Sequence, residues 1–191
     1  DQKGGLYAKQ KVNLAYDFKL DAYVYLHHST DNGDNSLADG MAVVFQNDPR
    51  GANAVGAFGS ALGFNGTQES KKATSQYIQN GLVAELDPFL NKEADKGLAD
   101  KGGHIAWQVP QAGKGSGSSH KDVQYIKFRD HDGSWEPVTV TWVRDPKTLR
   151  GGTFTLSYGN IESKYKLTDY QNTFKTNQVY FGFVGSTGML Y

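Results

Sequence analysis

The chain contains no cysteine among its 191 residues, which excludes both a disulfide framework and a thiolate metal site. It has no excess of charge of either sign, since 20 Lys and Arg residues balance 20 Asp and Glu residues. There is therefore no net field to attract nucleic acid or an anionic membrane. An apolar run of about 18 residues, which a membrane helix would need, is also absent, and no signal-like segment opens the sequence. The absence of cysteine does not indicate in which cellular compartment the protein works.

Glycine and aromatic residues are abundant, with 23 glycines and 13% Phe, Trp and Tyr, a mixture that favours an all-β protein. Runs of β-forming residues recur between turn signals, which predicts a two-sheet sandwich. The predicted strands are 11–14, 18–26, 41–45, 82–86, 104–109, 123–128, 138–143, 153–158 and 179–184, with one short helix within 167–174. The length suits one domain, 1–191, and the start at Asp1 without Met suggests that it is excised from a larger protein.

Two carboxylates lie close together at the end of one predicted strand. Glu85 and Asp87 are two positions apart in an apolar run, so their side chains project from one face about 7 Å apart. No Lys or Arg lies between them, and like charges at this separation are costly unless a cation or a shared proton intervenes. With Asn91, a further Asp and His104, they form a ligand set for a divalent cation. The alternative is a surface strand with solvated acids.

Five stretches along the chain carry a likeness to a known family. They are LADGMAVVF (37–45), GAFGSALGF (56–64), ELDPFLN (85–91) with His104-Ile-Ala, GSWEPVTVTW (133–142) and QVYFGFVGSTG (178–188). In this order they resemble L-type (legume-like) lectins, of the bacterial surface-adhesin kind. The resemblance covers nearly all the chain from Gly5 onward. It implies a concanavalin-A-like antiparallel β-sandwich (jelly roll) of two sheets.

The resemblance also implies two neighbouring metal sites. The Ca²⁺ ligands would be Asp87, the carbonyl of Phe89, Asn91 and a later Asp. A second, transition ion such as Mn²⁺ would be held by Glu85, Asp87, the later Asp and His104. Asp100 is preferred as the later Asp because it precedes His104 by about the family's spacing, and Asp95 is the alternative. The remaining histidines (His27, His28, His120 and His131) are interpreted as ordinary residues of loops and strand ends.

A carbohydrate site next to the calcium is implied by the same family likeness. A cis peptide bond between Ala38 and Asp39 would present the Asp39 carboxylate to sugar hydroxyls. Ser60 occupies the position at which the family usually has glycine, with Gly59 beside it. The complete set of expected sugar-binding residues is Asp39, Gly59, Ser60, Phe89, Asn91, Gly188 and Met189.

The sequence therefore predicts a calcium-dependent, non-catalytic carbohydrate-binding domain. Its partners would be glycans or glycoproteins, and its place would be extracellular, as the recognition module of a cell-surface adhesin. One alternative is a glycosidase on the same sandwich, although Leu90 occupies the position where such enzymes carry a second catalytic Glu. Another alternative is a metal-stabilised protein-binding domain of the laminin-G type.

Overall fold

The computed structural model describes residues 2–27, 37–66, 76–92, 94–101, 103–113 and 119–187. Within these ranges the chain forms eleven strands and one short helix. They are β1 (Gln2–Tyr7), β2 (Val12–Asn13), β3 (Phe18–Leu26), β4 (Gly40–Gln46), β5 (Gly81–Asp87), β6 (His104–Gln108), β7 (Lys121–Tyr125), β8 (Ser134–Arg144), β9 (Gly152–Tyr158), β10 (Ile161–Leu167), α1 (Tyr170–Phe174) and β11 (Gln178–Thr187).

The strands build two antiparallel sheets that pack face to face. One has seven strands in the order β1-β11-β4-β5-β6-β7, with β2 pairing to β11, and the other has four in the order β10-β9-β8-β3. This arrangement is the two-sheet antiparallel sandwich that the sequence predicts. Strand β5 lies inside the larger sheet, between β4 and β6, so its residues are paired on both sides.

Aromatic side chains from both sheets fill the space between them. The ring of Phe154 on β9 lies 4.8 Å from Phe45 on β4, 4.6 Å from Trp142 on β8 and 5.5 Å from Trp107 on β6, measured between ring centroids. The indole N–H of Trp107 donates to the Ser163 carbonyl at 3.1 Å, so this polar group is satisfied inside the core. The ring contacts link four strands, β4 and β6 of one sheet with β8 and β9 of the other.

Strand β5 is buried on both faces, and its two faces have different chemistry. Leu82, Ala84 and Leu86 face the other sheet and belong to the central core. Val83 points the opposite way, into a second apolar cluster formed by residues such as Leu62, Phe64 and Ile78 from the loops over the larger sheet. Because side chains alternate along a strand, Glu85 and Asp87 share the face of Val83. The carboxylates therefore lie on the loop-covered side of the sheet.

The sequence analysis predicts the boundaries of some elements and misses others. The predicted strand 18–26 coincides with β3, and the predicted helix contains α1, whose first turn is capped by Asp169 accepting from the N–H of Gln171 at 2.8 Å. Strands β1 and β10 are not predicted. Among the described residues, no helix has the length and apolarity to cross a membrane.

Replacing Phe154 with alanine should remove the side chain that joins the two sheets. We expect Phe154→Ala to lower the free energy of unfolding by about 3–5 kcal/mol, because it leaves a cavity between rings that cannot all move inward. Tyr23→Ala is the matched control, since Tyr23 lies on the same sheet but is 68% exposed, and its effect should stay within about 0.5 kcal/mol. Urea unfolding followed by tryptophan fluorescence measures both, and equal effects would contradict the assignment of the core.

Candidate metal and carbohydrate site

Strands β5 and β6 bring three of the predicted metal ligands together. Asp87, at the end of β5, pairs in register with His104, at the start of β6, and Glu85 lies two residues earlier on the same face. Glu85 Oε1 is 3.3 Å from His104 Nε2. All three side chains are almost fully buried, with 1–2% of their surface exposed.

The loop after β5 adds a third carboxylate and a polar amide. The Asp87 side chain accepts from the backbone N–H of Phe89 at 2.8 Å, which turns the chain directly after the strand. Asn91 and Asp95 then bond to each other twice: the Asn91 N–H donates to Asp95 Oδ2 at 2.5 Å, and the Asp95 N–H donates to the Asn91 carbonyl at 2.8 Å. Asp95 is 3% exposed and points into the cluster.

The geometry does not support the preference for Asp100 as the later Asp. Asp100 is exposed and lines a separate cavity, whereas ligand atoms of Asp87, Asp95 and His104 all lie within 4.8 Å of one another. The reason is local: the Leu98 N–H bonds to the Asp95 carbonyl in a turn, so the chain reverses after Asp95. The preference for Asp100 rests on its spacing from His104. Because the backbone turns after Asp95, that spacing does not indicate which Asp lies near His104.

His120, which the sequence analysis treats as an ordinary loop histidine, belongs to the cluster. Its Nε2 atom is 3.0 Å from Glu85 Oε1 and 3.4 Å from Asp95 Oδ1. Gln108, also not predicted, donates from Nε2 to Glu85 Oε2 at 2.5 Å. His120 immediately precedes β7, and β7 pairs with β6 across an irregular register. Only that pairing brings it to the site, and no spacing in the sequence reveals the pairing.

The surroundings shift the pKa values of Asp87 and Glu85 in opposite directions. Burial raises the pKa of Asp87 well above its usual value, and the neighbouring charges of Asp95 and Glu85 raise it further. Burial also acts to raise the pKa of Glu85, but the imidazoles of His104 and His120 outweigh it and hold that pKa at about 2. Three carboxylates thus share a dry space in which the imidazoles of His104 and His120 are the described neighbours of Glu85, and that of His120 is a neighbour of Asp95.

The donor set fits divalent cations on the chemistry of its atoms. Carboxylate oxygens of Asp87 and Asp95 with an amide oxygen of Asn91 form the oxygen-rich environment that Ca²⁺ prefers. In the described part of the chain, Asn91 Oδ1 is buried and has no hydrogen-bond partner. A buried amide oxygen left without a donor is costly, and a cation would satisfy it.

The predicted cis peptide bond between Ala38 and Asp39 is present. Asp39 is 5% exposed, and a Cβ atom at Gly59 would lie 4.0 Å from Asp39 Oδ2, so the glycine backbone faces the carboxylate. Ser186 joins the two: its carbonyl accepts from the Asp39 N–H at 3.2 Å, and its hydroxyl donates to the Gly59 carbonyl at 2.8 Å. The structure therefore brings together two loops that the chain separates by about twenty residues.

The remaining predicted sugar-binding residues have different surroundings. Phe89 is half-buried and lines a cavity of about 730 Å³ together with Leu37 and Pro88. Ser60 is half-buried in the short 3-10 helix Gly59–Ala61. Gly188 and Met189 lie outside the described residues, so their predicted roles stay predictions.

No protein-family model matches the sequence, but solved structures match the fold over nearly its whole length. Lectin I-B4 of Griffonia simplicifolia, in its metal-free form, is 19% identical with a TM-score of 0.61, covering 97% of this chain and 73% of that one. Winged bean acidic lectin, complexed with methyl-α-D-galactose, is 16% identical with a TM-score of 0.60, covering 98% and 72%. The exoplasmic/lumenal domain of VIP36, in its Ca²⁺/Man3GlcNAc-bound form, is 17% identical with a TM-score of 0.59, covering 99% and 68%. The chain thus has the L-type lectin fold.

Gly40→Ala should disturb the junction between Asp39 and the loop after β5. Gly40 has φ = +144°, and a Cβ atom there would lie 2.6 Å from the Leu86 carbonyl oxygen and 2.9 Å from Pro88 Cδ. We expect a loss of about 1–3 kcal/mol of unfolding free energy. Gly4→Ala is the matched control, because a Cβ atom at Gly4 meets nothing within 4 Å. Thermal unfolding of both variants checks this, and an unchanged Gly40→Ala variant would contradict the close approach.

Proposed function

We propose that residues 1–191 form a carbohydrate-binding domain that recognises glycans or glycoproteins without catalysis and depends on Ca²⁺. Asp87, the Phe89 carbonyl, Asn91 and Asp95 would hold the calcium. Asp39, the Gly59-Ser60 backbone, Phe89 and Asn91 would contact the sugar, with Gly188 and Met189 at the rim. When bound, calcium supplies positive charge to the buried carboxylates and a ligand bond to the free amide oxygen.

The observation that carries this proposal is the convergence of buried carboxylates with an amide oxygen that has no hydrogen-bond partner among the described residues. The chain that bears them closely approaches Gly40, the residue after Asp39. Among the described residues, Asn91 Oδ1 has no donor, although Asn91 N–H and C=O are both bonded to Asp95. Its amide N–H₂ is thereby left to donate to a hydroxyl while the oxygen accepts a cation. Asp39, as an acceptor facing the Gly59 loop, complements that donor. Sugar hydroxyls need this combination of donors and acceptors together with an apolar surface.

Binding to glycans is also supported by the lectin structures that share this fold. The winged bean lectin structure contains methyl-α-D-galactose, and the VIP36 structure contains Ca²⁺ and Man3GlcNAc. The Phe89 ring, together with Leu37 and Pro88, provides an apolar surface next to the polar groups. Location outside the cell, and service as the recognition module of a surface adhesin within a larger protein, stay predictions that accompany this proposal.

The burial of Glu85 argues against the glycosidase alternative. A glycosidase needs two carboxyl groups that reach the scissile bond from either side. Glu85 is 1% exposed, and His104, His120 and Gln108 surround its carboxylate. A polysaccharide cannot approach it without displacing these side chains. Leu90 also remains at the position where the second catalytic Glu would be required.

A glycan array, probed with the chelator-stripped chain with and without added Ca²⁺, tests the proposed function. We expect binding to a defined subset of glycans when Ca²⁺ is present, and its loss when a chelator is added. Binding that is equally strong in chelator would show that the metal does not shape the site. Silence on the array with tight binding to a protein ligand would favour the laminin-G-type alternative.

Asp39→Ala and Asp87→Ala should separate the sugar contact from the metal contact. Asp39→Ala should abolish glycan binding but keep the calcium-induced rise in melting temperature, because Asp39 is not assigned to the ion. Asp87→Ala should lose both effects, including a stabilisation of about 2.7 kcal/mol at a Ca²⁺ concentration of roughly one hundred times Kd. Differential scanning fluorimetry and glycan binding are measured together.

The control for both variants is Asp21→Ala, an acid on the other sheet whose side chain is 59% exposed. It should leave glycan binding and the response to calcium unchanged. If Asp39→Ala removes the calcium response, or if Asp87→Ala keeps glycan binding, the assignment of these residues is wrong.

A further inference from the structure

Three side chains from different parts of the chain meet at Glu85 and form a second group of potential metal ligands. They are Glu85 from β5, His104 from β6 and His120 from the loop before β7. Glu85 Oε1 lies 3.3 Å from His104 Nε2 and 3.0 Å from His120 Nε2. Glu85 and His104 are 1% exposed, and His120 is 7% exposed. The group is distinct from the oxygen-rich set assigned to calcium.

These atoms are close to one another, but they are not aligned as hydrogen bonds. Among the described residues, Glu85 Oε1 and His104 Nε2 are buried and make no hydrogen bond of acceptable geometry, despite their separation of 3.3 Å. A structural ion pair between a histidine and a glutamate would align the N–H with a carboxylate lone pair. Ligand atoms that lie within 4.8 Å of one another without bonding to each other can instead share a bound ion.

The contacts of Gln108 fix the orientation of the Glu85 carboxylate. Its Oε1 accepts from the Ser119 hydroxyl at 3.0 Å, and its Nε2 donates to Glu85 Oε2, which together set the orientation of the amide. The same Nε2 lies 3.0 Å from His120 Nε2, so Gln108 contacts two members of the group.

The spacing and the chemistry of the atoms indicate the kind of cation. Ligand atoms about 2.0–2.1 Å from a tetrahedral ion lie about 3.3–3.4 Å from one another. The separations of Glu85–His104, Glu85–His120 and His120–Asp95 are 3.0–3.4 Å, and the ligand atoms of Glu85, His104 and His120 all lie within 4.8 Å of one another. Two imidazoles and a carboxylate favour borderline ions such as Zn²⁺, whereas Mn²⁺ is better served by carboxylates and water. Asp95 Oδ1, 3.4 Å from His120 Nε2, offers a fourth ligand.

We propose that His120 is a metal ligand and that Glu85, His104 and His120 form the core of a site for a Zn²⁺-class ion instead of Mn²⁺. The Gln108 amide then orients the carboxylate by holding Glu85 Oε2, which leaves Oε1 for the ion. This inference concerns the second ion alone and does not depend on the proposed carbohydrate binding.

The direct test counts the imidazole ligands. The full chain is stripped with a chelator, saturated with Ca²⁺ and then loaded with one equivalent of Co²⁺ as a paramagnetic substitute for Zn²⁺. Proton NMR should show two exchangeable imidazole N–H signals shifted by the ion, one each from His104 and His120. The His120→Gln variant should show one. A single shifted signal in the unaltered protein, or none, would overturn the proposal.

Affinity measurements by calorimetry provide the second readout, again with Ca²⁺ saturating. His120→Gln should weaken Zn²⁺ binding by at least about tenfold and weaken Mn²⁺ binding much less, because imidazole contributes most to the borderline ion. His131→Gln is the matched control. His131 is not a member of the proposed ligand group, and its Nδ1 atom lies 3.0 Å from Glu136 Oε1. Equal losses for the two metals, or unchanged Zn²⁺ affinity, would show that His120 is not a ligand.

The two proposals can fail separately. Circular dichroism and the calcium-induced melting shift show whether His120→Gln folds, and the NMR count on the unaltered chain decides the question if it does not. Glycan binding is measured on the same samples. If the NMR count and the Zn²⁺ affinities show that His120 is not a ligand while calcium-dependent glycan binding is intact, only the inference about His120 is refuted.

Discussion

Crowding of negative charge in a dry space is the constraint on which the site depends. Glu85, Asp87 and Asp95 are each 1–3% exposed, and their carboxylates converge where β5 ends. Carboxylates that are buried together must acquire protons or cations, because desolvation and mutual repulsion both oppose ionisation. The raised pKa of Asp87 and the unpartnered oxygen of Asn91 express the same constraint. The divalent ions proposed for the site would resolve it without protonating their ligands.

The sandwich supplies the rigidity that such a site requires. Pairing of β5 on both sides fixes the direction of its side chains, and the core around Phe154 fixes the sheet. The short contacts that a side chain at Gly40 would make show how closely the Asp39 segment approaches the chain after β5. Through Ser186, the last strand connects that segment to the Gly59 loop. These contacts hold the Asp39 segment, the Gly59 loop and the chain after β5 close together.

Local patterns in the sequence were sufficient for much of the fold. Alternation along 18–26 predicts β3 to the residue, and the turn signals separate most of the other strands. Strand β1 was missed because its two glycines remove the alternation, and its strand form depends on pairing with β11. Strand β10 does alternate, but its buried Ser163 and its lysines weaken the apolar signal. In both cases pairing with a partner strand, β11 for β1 and β9 for β10, stabilises what the local sequence only permits.

The sequence by itself determined the chemistry of the site. It supplies two carboxylates on one strand face, the amide of Asn91 four residues after Asp87, and the histidine that opens the next strand. Alternation along a strand is a local rule, so Glu85 and Asp87 could be placed without a structure. Only the tertiary structure decided that Asp95 faces the cluster in place of Asp100, and that His120 reaches Glu85. Those contacts depend on a turn and on the pairing of β6 with β7, which are set by the packing of the whole chain.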